Sequence, residues 1–228
     1  MSIDTQTLFY ALAGGIIPTL LWLWFWLKED EKKPEPRGLI ILSFIAGMIV
    51  VVVALPLEKI SINFFEEQKT LLFVWASIEE VLKYLAIVLV AFSSRFFDEP
   101  IDAVIYMITV ALGFSALENT LYLIEPIKNG EMLVGFLNGN LRFLGATLLH
   151  VVSSASIGIA IAFSFYKNKF IKIISSIIGL VTAIVLHSLF NFFIMEERVD
   201  TFLVFALTWL AVVFVIFLFE KIKKIKKT

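Results

Sequence analysis

Apolar runs of about twenty residues recur seven times along this chain, each closed by a short polar stretch. They lie near 7–27, 38–57, 70–92, 101–124, 140–166, 170–194 and 201–219. A helix rises 1.5 Å per residue, so about 20 residues cross the hydrocarbon of a bilayer. No run alternates apolar with polar residues, which excludes the strands of a membrane barrel. The pattern predicts an all-α, polytopic transmembrane bundle of about seven spans, forming one integral membrane domain over 1–228. The first run is not a signal peptide by pattern. It lacks a basic leader, has Asp4 ahead of it and ends in Trp22, Trp24 and Trp26. The segment 125–139 holds Pro126, Gly130, Gly135 and Gly139 and reads as a loop or as a short interfacial or re-entrant piece.

Composition agrees with the pattern. Hydrophobic residues make up 60% of the 228 and charged ones 17%, against roughly 25% charged in soluble domains. A net charge of -1 argues against nucleic acid as a partner, since phosphate binding needs a basic surface. The absence of cysteine excludes disulfides, thiolate nucleophiles and thiolate metal sites. Thirteen Lys and Arg fall in alternate connectors and the tail, against four in the others. The positive-inside rule then puts the N-terminus outside the cell membrane and the basic C-terminal tail in the cytoplasm, against anionic lipid.

Charge inside a span is costly and usually faces the bundle interior. Here it concentrates in spans 3–6: Glu79, Glu80 and Lys83, then Glu118, Asn119 and Tyr122, then Arg142 and His150, then His187 and Asn191. Both histidines of the chain belong to this set. Counting from the outer ends of the spans, Glu79, Glu118, His150 and His187 lie about 14, 9, 15 and 10 Å deep. Four helices of alternating direction thus place their polar groups in one slab, and 70–194 reads as a catalytic four-helix core. Glu79 and Lys83 share a helix face, as do Glu118 and Tyr122, and His187 and Asn191. Arg142 sits near the interface, where it can snorkel outward.

Paired carboxylates, two imidazoles and an amide suit hydrolysis. In one mechanism Glu79 or Glu80 takes a proton from water, His187 and Asn191 hold an oxyanion, and His150 places the water or protonates the leaving nitrogen. In the other, His150, His187 and Glu118 bind zinc and a remaining Glu is the base. No HExxH signature is present, and cationic Lys83 and Arg142 oppose a divalent ion, so the balance favours the metal-free version. The rival classes are a proton- or ion-coupled transporter or channel, which would show a repeat or broken helices, and a scaffold whose polar cluster is closed by internal ion pairs.

The segments EEVLK at 79–83, FSALENTLY at 114–122, Arg142 to His150 and HSLFN at 187–191 resemble the PrsW family of intramembrane proteases, related to the CAAX-prenyl endopeptidase group. By that resemblance Glu79 and Glu80 fall on the family's paired glutamates and Lys83 on the basic residue after them. Glu118 and Asn119 fall on its Glu-Asn pair, His150 on its first histidine, and His187 and Asn191 on the closing histidine and its companion. The resemblance implies cleavage of a single-span membrane protein, site-1 cleavage of an anti-sigma factor in a stress response. Such proteases have been described both as metallopeptidases and as glutamic peptidases, so the resemblance leaves the metal open.

Overall fold

The apolar runs become helices, and charge, proline and short capping side chains set their ends. A computed structural model describes residues 4–28, 33–131, 145–195 and 201–226. Seven helices occupy them: α1 (Thr5–Lys28), α2 (Arg37–Ser61), α3 (Gln68–Val90), α4 (Pro100–Lys128), α5 (Ala146–Phe163), α6 (Lys169–Met195) and α7 (Thr201–Ile222). Ahead of α1, the Asp4 carboxylate accepts the Thr7 amide at 2.9 Å and the Thr7 hydroxyl at 2.7 Å, satisfying donors that a first turn leaves open. Glu99 and Asp102 form a reciprocal capping box at the start of α4, with Pro100 at its first position. Asn168 caps α6 through the Ile171 amide at 3.0 Å.

Six of these helices are long and apolar enough to cross a membrane. The other, α3, spans 23 residues and carries Glu79, Glu80 and Lys83. The protein is therefore an all-α, membrane-embedded bundle, as the hydropathy pattern predicts. Helix α4 continues through Lys128, so the start of the 125–139 segment is helical, and Gly130, with φ +78°, follows it. A positive φ is open to glycine at little cost. Residues 132–144, which hold the remainder of that segment, the first residues of the fifth predicted span and Arg142, lie outside the described residues.

Helix α4 is the axis of the bundle. It packs on α1, α2 and α5; α5 in turn carries α6 and α7, and α3 leans on α2 and α6. Small residues permit the closest approaches. A Cβ on Gly113 would overlap the Phe44 carbonyl, and one on Gly47 the Val110 carbonyl, so α2 and α4 meet backbone to backbone. At one end of the axis the 33–36 strap is tied down. Lys33 pairs with Asp98 at 2.7 Å and Glu99 at 3.1 Å, and Tyr106 donates to Glu35. The other half of the axis supports the polar cluster.

Candidate functional site

Successive residues on a helix turn by about 100°, so Glu79 and Glu80 on α3 point in different directions. Glu80 is fully buried. Its Oε1 accepts from Lys83 Nζ at 2.9 Å and from His187 Nδ1 at 3.0 Å, and its Oε2 accepts from the Ser154 hydroxyl at 2.8 Å. One carboxylate thus ties α3 to α5 and α6, with donors on both oxygens, which is how a buried charge is tolerated. Glu79, also buried, turns toward the two histidines. Its Oε2 lies 3.3 Å from Lys83 Nζ, 3.8 Å from His150 Nδ1 and 3.9 Å from His187 Nε2.

The two imidazoles are held alike. His150 turns Nε2 to Glu118 at 3.2 Å, and His187 turns Nδ1 to Glu80 at 3.0 Å. A carboxylate on one ring nitrogen fixes the proton there and leaves the other nitrogen with its lone pair inward. The inward nitrogens, His150 Nδ1 and His187 Nε2, converge on Glu79 Oε2, all three ligand atoms lying within 4.8 Å of one another. The rings stand edge to face, 4.8 Å between centroids, and Phe114 packs on His150 at 5.0 Å. Lys83, fully buried, reaches into the same space. Its ammonium is 3.0 Å from His150 Nδ1 and 3.9 Å from the centre of the Phe114 ring.

Four helices therefore bring Glu79, Glu80, Lys83, Glu118, His150 and His187 to one cluster. Asn119 donates to Thr147 at 3.0 Å and fastens α4 to α5 beside it. Asn191 is half-buried one turn along α6 from His187. Tyr122 is nearly half exposed, on the outward turn of α4. The cluster is open at one edge, since the Glu118 side chain is 33% exposed.

The donor set fits a divalent transition metal. Two imidazoles and a carboxylate are borderline ligands that suit zinc, and each imidazole has the carboxylate backing that metal-bound histidines use. The geometry selects Glu79 as the carboxylate of this set. Glu118, named with the two histidines from sequence, instead backs His150.

Sequence reasoning missed Glu58, because the apolar run around it ends at 57 and the residue reads as connector. In the structure α2 continues to Ser61. Its buried stripe Gly47, Val50, Val51 and Ala54 packs on Phe114 of α4 and beside Ile78 and Leu82 of α3. Glu58, one turn beyond Ala54, is half-buried on that stripe, within electrostatic reach of Glu79, Glu118, Lys83 and His187. Ser61, one turn further, accepts Trp75 Nε1 at 3.0 Å, and Trp75 lies one turn before Glu79. The i, i+4 spacing of Val50, Ala54 and Glu58 was the available signal.

Comparison with known proteins agrees with this geometry. Residues 35–219 match the model of a family described as PrsW family intramembrane metalloprotease. The chain is 29% identical over 191 residues to Protease PrsW of Clostridioides difficile (strain 630), covering 80% of this chain and 78% of that one. It is 26% identical over 166 residues to Protease PrsW of Geobacillus kaustophilus (strain HTA426), covering 72% and 68%. Protease PrsW of Bacillus subtilis (strain 168) is 28% identical over 170 residues, covering 72% and 71%. No solved structure matches the chain.

Proposed function

The chain belongs to the PrsW family of intramembrane metalloproteases, and on that premise we propose an endopeptidase that hydrolyses a peptide bond of a single-span protein within the outer half of the membrane. One observation carries the reading: two imidazoles, each fixed by a carboxylate on one nitrogen, turn the other nitrogen to Glu79 Oε2. A divalent ion, zinc by ligand type, would be held by Glu79, His150 and His187, where it would polarise the scissile carbonyl and acidify water. Glu80 holds the His187 ring and draws Lys83 inward. Lys83 offsets part of the negative charge that four nearby carboxylates would otherwise concentrate. Glu118 is the carboxylate at the open edge. It is placed to accept the proton that attacking water gives up and to return it to the leaving nitrogen. Asn191, beside His187, is a donor for the developing oxyanion.

A second reading rests on Lys83. Its ammonium already contacts His150 Nδ1 and Glu79 Oε2, and an ammonium there can serve as the pocket's own cation. Glu79 is then the base of a metal-free glutamic peptidase, the version favoured from sequence. Purified protein assayed on a single-span reporter separates the two. The metal reading expects stoichiometric zinc by elemental analysis and loss of cleavage in strong chelator, restored by zinc. Full cleavage by metal-free protein would leave the glutamic reading standing alone.

The family resemblance supports an anti-sigma factor as substrate, cut at site 1. Cleavage of a candidate anti-sigma factor beside a scrambled-span control tests it. The basic bias supports an extracytoplasmic N-terminus. Single cysteines replacing Asn63 and Glu131 should label from outside the cell, and one replacing Lys167 should not.

A further inference from the structure

The Glu80–His187 bond draws α3 and α6 together at the catalytic level. Toward the start of α6, a cavity of about 210 Å³ lies between Tyr84 of α3 and one face of α6. Its walls are Tyr84 from α3 and Lys169, Lys172, Ile173, Ser176, Ile177 and Leu180 from α6, the Ser176 hydroxyl being turned back onto the Lys172 carbonyl at 2.9 Å. We propose that this cavity binds an anionic glycerophospholipid, its phosphate between Lys169 and Lys172 and an acyl chain along Ile173, Ile177 and Leu180.

The order of the walls carries the assignment. Residues 169, 172, 173, 176, 177 and 180 follow helical spacing and form one face. The face begins with two ammonium groups, and neither is ion-paired among the described residues. The Lys172 ammonium is 5.4 Å from the centre of the Phe165 ring, a weak contact that leaves its hydrogens available. Ile173 and Ile177 follow, both about half exposed on the lipid side, and Leu180 lies about 16 Å further along the helix than Lys169. Cationic groups at the membrane surface followed by an apolar wall is the order of a phospholipid headgroup and its chain. Basic pockets between transmembrane helices bind such headgroups. A free phosphate would use the lysines and leave the apolar wall open.

The position gives the lipid a task. Tyr84 follows Lys83 in α3, and α6 carries His187. A lipid filling the gap therefore braces the two helices whose spacing sets the Glu80–His187 contact. This coupling rests on the peptidase reading; the binding does not.

Full-length protein in detergent, titrated with phosphatidylglycerol or phosphatidylcholine and followed by native mass spectrometry, tests the binding. One phosphatidylglycerol should be retained in preference to phosphatidylcholine. The double variant Lys169→Gln/Lys172→Gln should weaken it roughly thirtyfold, at about 1 kcal/mol per lysine. Ile177→Trp keeps both lysines and fills the apolar wall, and it should lose the lipid as well, which guards against misfolding of the double variant. Millimolar inorganic phosphate should not displace the lipid. No preference for phosphatidylglycerol, an equal loss in the tail variant Lys226→Gln, retention in Ile177→Trp, or full displacement by phosphate would each overturn the assignment. In vesicles, phosphatidylglycerol should raise reporter cleavage by the wild type and leave the double variant unchanged. Cleavage indifferent to a bound lipid overturns the coupling, whereas no cleavage in any vesicle overturns the peptidase reading and leaves the lipid site intact.

Discussion

Helices α4 and α5 differ from α2 and α7 in a way that reverses the rule for soluble proteins. The spanning windows of α4 and α5 are 94% and 78% buried, and those of α2 and α7 are 33% and 28% buried. Yet α2 and α7 are the more apolar pair. In a bilayer the lipid is as apolar as leucine, so hydrophobicity does not select the inside. The inside is selected by close packing and by polar groups that need partners. Helix α4 is lined by Ala103, Ala111, Gly113, Ser115 and Ala116, all buried, and α5 carries His150, Ser153 and Ser154. Helix α7 turns Val213, Phe214 and Phe217 outward. Function sits where the chain is least oily, so polar changes in the core should cost activity, small-to-large changes should cost stability, and lipid-face changes should cost little.

The sharpest break is Glu79→Gln, which keeps size and removes the carboxylate on which both imidazoles converge. Reporter cleavage should fall by at least roughly 10²–10⁴-fold, with the protein still folded in the membrane by its thermal transition in detergent. Full activity would remove the cluster from the chemistry and leave it a structural tie. His187→Ala should be comparably severe, because it also leaves a buried Glu80 oxygen short of one donor.

Much of this cluster was legible in sequence, for a reason specific to membranes. Glu79, Glu80, Lys83, Glu118, His150 and His187 stand out because each interrupts an apolar run, and equal depth could be counted from helix rise alone. The direction of each side chain could not be counted. Adjacent Glu79 and Glu80 are alike in sequence, and only the packing of α3 against α5 and α6 assigns Glu80 to Ser154 and His187. Glu58 escaped because the hydropathy edge fell at 57 while α2 runs on to Ser61. Hydropathy alone does not rank burial either, since α2 and α7, the most apolar helices, are only 33% and 28% buried.

Gly113→Leu sharpens the comparison on the packing side. The new side chain would drive into the Phe44 carbonyl and prise α2 from α4, at a cost of about 3 kcal/mol or more. A fall in the midpoint of unfolding in mild detergent should accompany weaker cleavage, because α2 carries Glu58. Smaller is Ser154→Ala, which removes the 2.8 Å donor to Glu80 Oε2. A buried acceptor left short costs about 1–3 kcal/mol, and the same unfolding assay reads it. Ser156→Ala is the control. Its hydroxyl bonds carbonyls of α5 and α6 and touches no carboxylate, so cleavage should change less.

Glu58→Gln tests the residue that hydropathy hid, and its two readouts should move in opposite directions. Its half-buried carboxylate lies within electrostatic reach of Glu79 and Glu118, which are like charges, and of one ammonium, Lys83. Neutralising it relieves repulsion, so thermal stability should rise by a few tenths to about 1 kcal/mol, the scale of a partly screened charge contact. Cleavage should fall several-fold, because the charge lies within electrostatic reach of Glu79, Glu118 and His187. Stability and activity falling together would make Glu58 a structural cap on α2.

The smallest effect is expected on the lipid face, and it bears most directly on the comparison. Val213 is 61% exposed in α7, among the most apolar stretches of the chain. Val213→Ala removes two methyl groups that touch lipid in the folded helix and lipid again if α7 separates from the bundle. The transfer contribution therefore nearly cancels, and alanine's better helix propensity offsets the remainder. The change in stability should stay within about 0.5 kcal/mol. Ala183→Val, by contrast, adds two methyl groups at a fully buried position of α6 and should cost about 1–3 kcal/mol. If Val213→Ala proves the more destabilising of the two, α7 has a protein neighbour on that face, a second copy or a substrate span, and the outward face assigned here to lipid is an interface.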